Sequence, residues 1–367
     1  MSEEQPILFK NLTAEQLAEK LKPLGVSLKL ARRIQSSLLR NLEPEIPHEM
    51  EQVSWRLLDK VRQATRIPSL EMLDKRVSPR DGFTKYLFRG EGQEPFETVR
   101  IPLLHREGDE KYVVCVSSQV GCAMGCAFCA TAKMGFRRNL QPWEIVDQIL
   151  QVRKDSTHPV RGVVFMGMGE PMLNYDRVMQ AAEILREPCG MAIDARNITI
   201  STVGVVPGIR RFTREKQPYR LVVSLTAANH EKRKNLLPVE NTHPLEELMQ
   251  AIREYQQTAK TRMMLAWTMM SGINTSREDA KEIAKLTAGM SVKIDLIDVN
   301  DPSGTYLKPS AVELKAFRDA LNEEVHQPIA RRYSGGQDIN AGCGMLAGLH
   351  VVSNPSCASN HCQPSQD

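Results

Sequence analysis

Residues 112 to 129 read YVVCVSSQVGCAMGCAFC, an apolar run followed by a glycine-containing loop with three cysteines. The run Tyr112 to Ser117 has the composition of a buried strand. Cys122, Cys126 and Cys129 follow it directly. Three thiolates so close in sequence can hold one small inorganic centre. The stretch therefore predicts a strand with a metal or cluster site after its carboxyl end.

The pattern of an apolar strand followed by an amphipathic helix repeats along the chain. The strand candidates are Tyr112 to Ser117, Gly162 to Met166, Asn197 to Ser201, Arg220 to Leu225, Met263 to Met269 and Val292 to Val299. The helix candidates are Pro142 to Arg153, Tyr175 to Arg186, Pro207 to Lys216, Pro244 to Ala259, Ser276 to Leu286 and Ser310 to Glu324. Apolar strands alternating with helices predict a parallel sheet buried on both faces. Six such units predict an α/β fold, a partial (β/α)6 barrel with its chemistry at the carboxyl ends of the strands. A doubly wound open sheet is the alternative, because the pattern does not report strand order.

The regions outside this repeat predict three further segments. Residues 1–75 are expected to form a small helical accessory domain, because apolar residues recur with helical spacing between residues 13 and 63. Residues 76–110 are expected to be connecting strands, which include Tyr86 to Arg89 and Glu97 to Leu103. The barrel domain is expected to span 111–350, with a last short strand at Pro328 to Tyr333, and residues 351–367 are expected to form a disordered tail.

Composition points to a globular protein of the cytoplasm. The chain has 367 residues, 41% of them hydrophobic, which is enough for a large core. It has no apolar run long enough to span a bilayer, and the beginning MSEEQPILFKNL does not resemble a secretory signal. In a reducing compartment its eight cysteines are better explained as ligands or reactive thiols than as a disulfide framework.

Positive charge is concentrated in two stretches, although the formal net charge is only +4. Lys20 to Arg40 carries six Lys or Arg and no acidic residue, and Gly208 to Asn235 carries eight against two glutamates. Such clusters suit contacts to RNA phosphates. The alternative for each is an ordinary solvated helix face.

The three cysteines favour an iron-sulfur cluster over zinc. A structural zinc site takes four ligands, and no fourth Cys or His lies nearby in sequence. Three cysteines on a [4Fe-4S] cluster leave one iron open to a substrate. The spacing Cys-x3-Cys-x2-Cys after a first strand resembles that of the radical SAM superfamily, whose members bind S-adenosylmethionine (SAM) at the open iron. Zinc, or three unrelated buried thiols, are the alternatives.

Further residues at strand ends are candidates for binding SAM. The second strand ends in Met166-Gly-Met-Gly-Glu170-Pro171, where glycines allow close backbone approach and a carboxylate can accept from an ammonium group. The SAM-binding candidates are Gly169, Glu170, Ser201, Ser224, Leu225, Thr226 and Asn300. A single polar residue at such a position is usually a turn or cap residue, so it is their convergence on one rim that supports this hypothesis.

From about residue 84 to 349 the chain resembles the RlmN/Cfr family of adenosine RNA methyltransferases. The segments that carry the resemblance are FETV at 96–99, CVSSQVGC at 115–122, GMGEP at 167–171, STVGVVPG at 201–208 and DINAGCG at 338–344. The resemblance implies methylation of an adenine ring carbon in 23S ribosomal RNA, with transfer RNA as a second candidate substrate. It favours carbon C2, because Pro171 is often lacking in the branch that methylates C8; C8 methylation is the runner-up.

The resemblance also implies roles for three residues outside the cysteine loop. Cys343 would take a methyl group from one SAM, and a radical made from a second SAM would activate that methyl for addition to adenine. Cys115 would release the product through a transient disulfide with Cys343. Glu97 matches the family's proton acceptor. Simple core packing is the alternative for Cys115 and is expected for Cys189.

Several positions depart from the family pattern. Thr226 stands where members usually have histidine, and Ala341-Gly-Cys-Gly-Met345 replaces the usual AACGQ. The stretch Leu103 to Tyr112 is longer than usual, which weakens the placement of Glu97. Cys357 and Cys362 in the tail are expected to be ordinary thiols.

The expected partners are RNA and an electron donor such as flavodoxin, with the protein acting as a monomer away from membranes. Two other function classes remain open at this point. One is a radical SAM enzyme that acts on a small molecule or peptide. The other is a non-catalytic RNA-binding protein with a structural zinc ion.

Overall fold

A ten-stranded sheet forms the centre of the protein. The computed structural model describes residues 6–104, 106–301 and 303–347. The strands in these residues are β1 Ile7–Leu8, β2 Thr65–Arg66, β3 Glu71–Val77, β4 Thr84–Arg89, β5 Phe96–Leu103, β6 Lys111–Cys115, β7 Gln119–Val120, β8 Arg138–Asn139, β9 Val160–Phe165, β10 Ile198–Thr202, β11 Arg220–Ser224, β12 Met263–Met269, β13 Val292–Asp298 and β14 Ile329–Arg332. The large sheet has the order β14-β13-β12-β11-β10-β9-β6-β5-β4-β3.

The strand order confirms the partial barrel. Neighbours from β6 through β9 to β14 are parallel and follow one another along the chain. A doubly wound sheet would reverse its winding direction partway, so that alternative is wrong. On the other side of β6, the strands β5, β4 and β3 extend the sheet in antiparallel fashion. The carboxyl ends of all the parallel strands meet at one rim.

The helices in the described residues are α1 Ala14–Leu21, α2 Leu28–Gln35, α3 Trp55–Ala64, α4 Ala130–Lys133, α5 Pro142–Lys154, α6 Tyr175–Arg186, α7 Val206–Arg214, α8 His230–Leu236, α9 Leu245–Ala259, α10 Arg277–Leu286 and α11 Ala311–Val325. The six helices predicted for the repeat, α5, α6, α7, α9, α10 and α11, follow their strands, and the short helices α4 and α8 are additional to the prediction. The hydroxyls of Ser276 and Ser310 accept from backbone N–H groups three residues on, so both are helix N-caps. Among the described residues, no helix is both long and apolar enough to cross a bilayer.

The N-terminal region differs from a continuous helical stretch over 13–63. Residues 41–54 contain no helix, and Pro44 and Pro47, which lack a backbone donor, lie there. The side chains of α1, α2 and α3 share one continuous hydrophobic core with those of the barrel, and β3 crosses the proposed boundary between residues 75 and 76. The division into four segments stays a prediction. The tail 351–367, with Cys357 and Cys362, lies outside the described residues.

Candidate active site

The cysteine loop lies between β7 and α4, and the rest of the chain holds it in place. Gly121 has φ 71°, and a Cβ there would lie 1.8 Å from the Gly135 carbonyl oxygen, so only glycine fits. The backbone N–H of Cys122 donates to that oxygen at 3.1 Å. The N–H of Ala127 donates to the carbonyl of Leu236 at 3.0 Å. Backbone hydrogen bonds therefore fix the loop on both sides of Cys126.

Cys122, Cys126 and Cys129 line one cavity at the carboxyl rim of the barrel, which we call the cluster cavity. Burial, with smaller contributions from Glu170 and Cys129, raises the pKa of Cys122 to about 12. Burial raises the pKa of Cys126 as well, again with its neighbouring thiols adding to the effect. An anionic ligand set in a buried place favours a bound group of positive charge.

Zinc and an iron-sulfur cluster would require different spacings between the three thiolates. Thiolates 2.3 Å from a tetrahedral zinc ion lie about 4 Å from one another. No three His, Cys, Asp or Glu side chains of residues 6–104, 106–301 and 303–347 come together as ligands of one metal ion. In a [4Fe-4S] cluster each thiolate binds a different iron, so the sulfurs lie farther apart. Three cysteines along one cavity match the thiolate donor type of such a cluster.

Glu170 lies on the wall of the cluster cavity and is itself held by backbone groups. Its carboxylate accepts from the N–H of Val203 at 2.9 Å and from that of Met172 at 3.0 Å. Burial raises the pKa of Glu170 to about 7, although these hydrogen bonds oppose the shift. Gly169 has φ 100°, and a Cβ there would lie 2.5 Å from the Gln119 side chain, so the turn requires glycine. The turn at Gly169 and the two backbone hydrogen bonds therefore hold the Glu170 carboxylate in a fixed position at the cavity wall.

The other predicted SAM-binding residues divide into two groups. Ser201 and Ser224 line the cluster cavity with Gly169 and Glu170. Leu225, Thr226 and Asn300 are not among the residues that line it. Leu225 and Thr226 are buried, and their carbonyl oxygens accept hydrogen bonds from other buried side chains. The structure therefore brings four of the seven candidates to the cavity.

Asn300 instead supports the loop that carries Cys343. Its amide nitrogen lies 2.8 Å from the Ser334 hydroxyl and 3.3 Å from the Cys343 carbonyl oxygen. This side chain orients the backbone next to Cys343.

Cys343 links the cluster cavity to a second cavity. It lines the cluster cavity and also a smaller one lined by Cys115, Met166 and Arg332, which we call the sulfur cavity. Burial raises the pKa of Cys115, the nearby Cys343 raises it further, and Arg332 acts in the opposite direction. Both cysteines are free thiols. Cys343 thus lies between the cluster cavity and the cavity that contains the second thiol.

Glu97 lies outside both cavities. It is buried, with 2% of its surface exposed, and its carboxylate lies 2.8 Å from the Lys85 ammonium nitrogen. It also accepts a 2.7 Å hydrogen bond from the backbone N–H of Ala347. The structure therefore connects Glu97 to the segment just after Cys343. Its assignment as proton acceptor stays a prediction.

Arg233 is a buried residue at the rim that the sequence did not reveal. It lies in the basic stretch Gly208 to Asn235, but its guanidinium pairs with Glu240 at 2.8 Å and donates to the carbonyls of Val203 and Leu225. Arg233 thus connects the residues that follow β10 and β11 at their carboxyl ends. Elsewhere in this stretch Arg210 and Arg211 form ion pairs with acidic neighbours. For these three arginines, the interpretation as phosphate contacts is not supported.

Replacing Arg233 by methionine is expected to lower the free energy of unfolding by about 3 kcal/mol, because it leaves Glu240 buried without its main countercharge. Urea denaturation of the variant measures this effect. The matched control is Arg214→Met on the exposed part of α7, for which we expect a change within about 0.5 kcal/mol. Equal destabilisation of the two variants would contradict the structural role of Arg233.

The fold and the site together define a radical SAM enzyme. The sequence profile of the radical SAM superfamily matches residues 116–287. A crystal structure of a radical SAM methyltransferase from Sphaerobacter thermophilus superposes with a TM-score of 0.84 at 34% identity, covering 94% of this chain and 100% of that one. Superfamily membership implies an iron-sulfur cluster and SAM as cofactors.

Two similar proteins indicate which kind of radical SAM enzyme this chain resembles. The chain is 49% identical to a probable RNA methyltransferase of Myxococcus xanthus (strain DK1622), over 92% of this chain and 94% of that protein. It is 38% identical to the dual-specificity RNA methyltransferase RlmN of Syntrophobacter fumaroxidans, over 93% of this chain and 98% of that protein. The chain belongs to the RlmN family of radical SAM RNA methyltransferases.

Proposed function

We propose that this protein methylates an adenine ring carbon, with C2 favoured, in 23S ribosomal RNA and in transfer RNA, through a methyl group carried on Cys343. The observation that supports this most is the position of Cys343, which lines both the cluster cavity and the sulfur cavity. A sulfur in that position can receive a group on one side and be resolved by Cys115 on the other. The dual specificity named in several relatives supports more than one RNA substrate.

In this proposal Cys122, Cys126 and Cys129 hold a [4Fe-4S] cluster, and Glu170 accepts from the SAM amino group. A cluster held by these thiolates would supply the electron for reductive cleavage of SAM. An electron donor such as flavodoxin would deliver that electron. Ser201 and Ser224 offer hydroxyls along the same wall.

The two remaining thiols have separate tasks. The Cys343 thiolate attacks the methyl carbon of SAM, so that a sulfur-carbon bond forms and S-adenosylhomocysteine leaves. After the carbon has been joined to adenine, the Cys115 thiolate would attack the Cys343 sulfur, so that an S–S bond forms and the S–C bond breaks. The electron pair of the S–C bond leaves with the RNA carbon, which takes a proton to become the methyl group, and a thiol reductant then reopens the disulfide. Because burial raises the pKa of Cys115, its proton must be removed at that step, and Arg332 stabilises the thiolate.

A groove beside the sulfur cavity is suited to an RNA strand. Its walls carry four basic residues, Arg80, Lys308, Arg331 and Arg332, and three acidic ones, Asp81, Asp298 and Asp338. Tyr333 lines both this groove and the sulfur cavity. Tyr333 is 75% exposed, and its hydroxyl donates to Asp81 at 2.8 Å, so its ring is held at the entrance. Within the described residues, Arg80 and Lys308 form no ion pair. Free cations and an exposed ring suit phosphate contact and base stacking.

Neutralising the groove with the double variant Arg80→Gln/Lys308→Gln is expected to weaken RNA binding about tenfold at moderate salt. The salt slope of binding should fall by roughly 0.7 for each side chain that no longer neutralises a phosphate. The matched control is Arg210→Gln/Arg211→Gln, whose cations are already ion-paired. Salt-dependent binding of an RNA fragment measures both. Unchanged affinity in the groove variant would favour a substrate other than RNA.

The position of methylation is decided by nucleoside mass spectrometry of RNA from cells with and without the gene. We expect 2-methyladenosine to disappear from 23S ribosomal RNA and transfer RNA when the gene is absent. Disappearance of 8-methyladenosine instead would identify the runner-up activity. No change in either nucleoside would contradict the proposed function.

A further inference from the structure

A buried ion pair holds both ends of the segment that carries Cys343. Lys85 on β4 and Glu97 on β5 lie diagonally across neighbouring antiparallel strands. Their charged atoms are 2.8 Å apart, and their side chains are 11% and 2% exposed. The Lys85 ammonium donates to the carbonyl of Asn340 at 3.2 Å, and Glu97 accepts from the N–H of Ala347 at 2.7 Å. We call residues 340–347 the carrier loop. Its first residue contacts Lys85, and its last residue contacts Glu97.

The middle of the carrier loop is fixed to the element that follows the cysteines. The N–H of Ala130 donates to the carbonyl of Gly344 at 2.7 Å, and the hydroxyl of Thr131 donates to the carbonyl of Leu346 at 2.6 Å. Both donors belong to α4, which begins directly after Cys129. The loop is therefore attached to the cluster side in its middle and to the β4–β5 sheet at its ends.

Resting on the proposed function, we propose that the Lys85–Glu97 pair positions the carrier loop for methyl transfer from SAM to Cys343. Glu97 is then a positioning residue at a stage before adenine takes part. Displacement at a methyl carbon requires the nucleophile in line with the leaving group, and a misplacement of about 1 Å can lower a rate about a hundredfold. When one end of the loop is released, the loop keeps its contacts to α4 and Asn300 but loses one of the two contacts that hold it to the β4–β5 sheet.

This role differs in timing from that of a proton acceptor. When Cys343 is loaded, its thiolate forms a bond to the methyl carbon, the bond from that carbon to the SAM sulfonium breaks, and the thiol proton goes to water. No adenine proton moves at this stage. A Glu97 that served only as proton acceptor for adenine would therefore leave loading intact, whereas a positioning pair is needed for it.

The test measures how fast Cys343 is methylated by SAM in the anaerobic holoenzyme without RNA, by peptide mass spectrometry. We expect Lys85→Met to slow loading at least tenfold. Glu97→Gln should slow it less, because its amide oxygen can still accept from the Ala347 N–H. Lys85→Arg should restore most of the wild-type rate. The matched control is Lys75→Met on the neighbouring strand β3, which breaks an exposed ion pair with Asp155 and should load normally.

Iron content and hydrogen exchange separate positioning from general unfolding. Lys85→Met should retain its iron and show faster exchange at the Ala347 amide, with the core strands unchanged. Wild-type loading and wild-type exchange in the Lys85→Met and Glu97→Gln variants would overturn the positioning role while leaving the proposed function intact. A wild-type protein that binds iron and cleaves SAM but never methylates Cys343 would overturn both.

Discussion

Replacing Cys115 by alanine is expected to trap the RNA on the protein, whereas replacing Cys343 prevents the reaction from starting. In Cys115→Ala the carbon can still be loaded and joined to adenine, but no thiol remains in the sulfur cavity to attack the Cys343 sulfur. In Cys343→Ala there is no sulfur to accept the methyl group. Denaturing gels with labelled RNA should show a covalent adduct for the first variant and free RNA for the second, with turnover reduced to background in both.

Cys189→Ala is the control for both variants. Cys189 donates to the Gln35 side chain at 3.1 Å and lines neither cavity, so its replacement should leave turnover unchanged. Normal turnover by Cys115→Ala would show that Cys115 only fills the core, which is the alternative that its position on a strand allows.

Alanine at Cys122, Cys126 or Cys129 is expected to abolish cluster binding and all SAM cleavage. Each thiolate would hold a different iron, so two remaining ligands cannot retain the cluster in a reactive state. Iron and sulfide analysis after anaerobic reconstitution, together with the yield of 5′-deoxyadenosine, measures both effects. Stoichiometric zinc without sulfide in the wild-type protein would contradict this assignment and favour a structural metal.

Local pattern was enough to predict most of the barrel. The strands and helices of the repeat lie within two residues of their predicted bounds, because the buried strands read as apolar runs and the helices as amphipathic stretches. Strand order had to come from the structure, since periodicity carries no information about which strands pair. The interruption at residues 41–54 contains Pro44 and Pro47, which lack the backbone donor that a helix needs.

The sequence predicted less of the site where the geometry depends on contacts between residues that are far apart in the chain. Cys122, Cys126 and Cys129 are adjacent in sequence, so their spacing alone indicated a ligand set. The proximity of Cys115 to Cys343 came only from the family resemblance. The contact of Glu97 with Ala347 joins residues 250 positions apart, and no local sequence pattern predicts it. Arg233 looked like a surface cation because its buried partner, Glu240, is an ordinary glutamate in the sequence.

The most direct test follows one methyl group from SAM to RNA. The anaerobic holoenzyme is loaded with methyl-labelled SAM, freed of it, and then given RNA with unlabelled SAM for a single turnover. If Cys343 carries the carbon, the first methyladenosine formed contains the label and Cys343 loses it. If the first methyladenosine is unlabelled while Cys343 keeps its label, the carbon does not pass through Cys343 and the account is wrong.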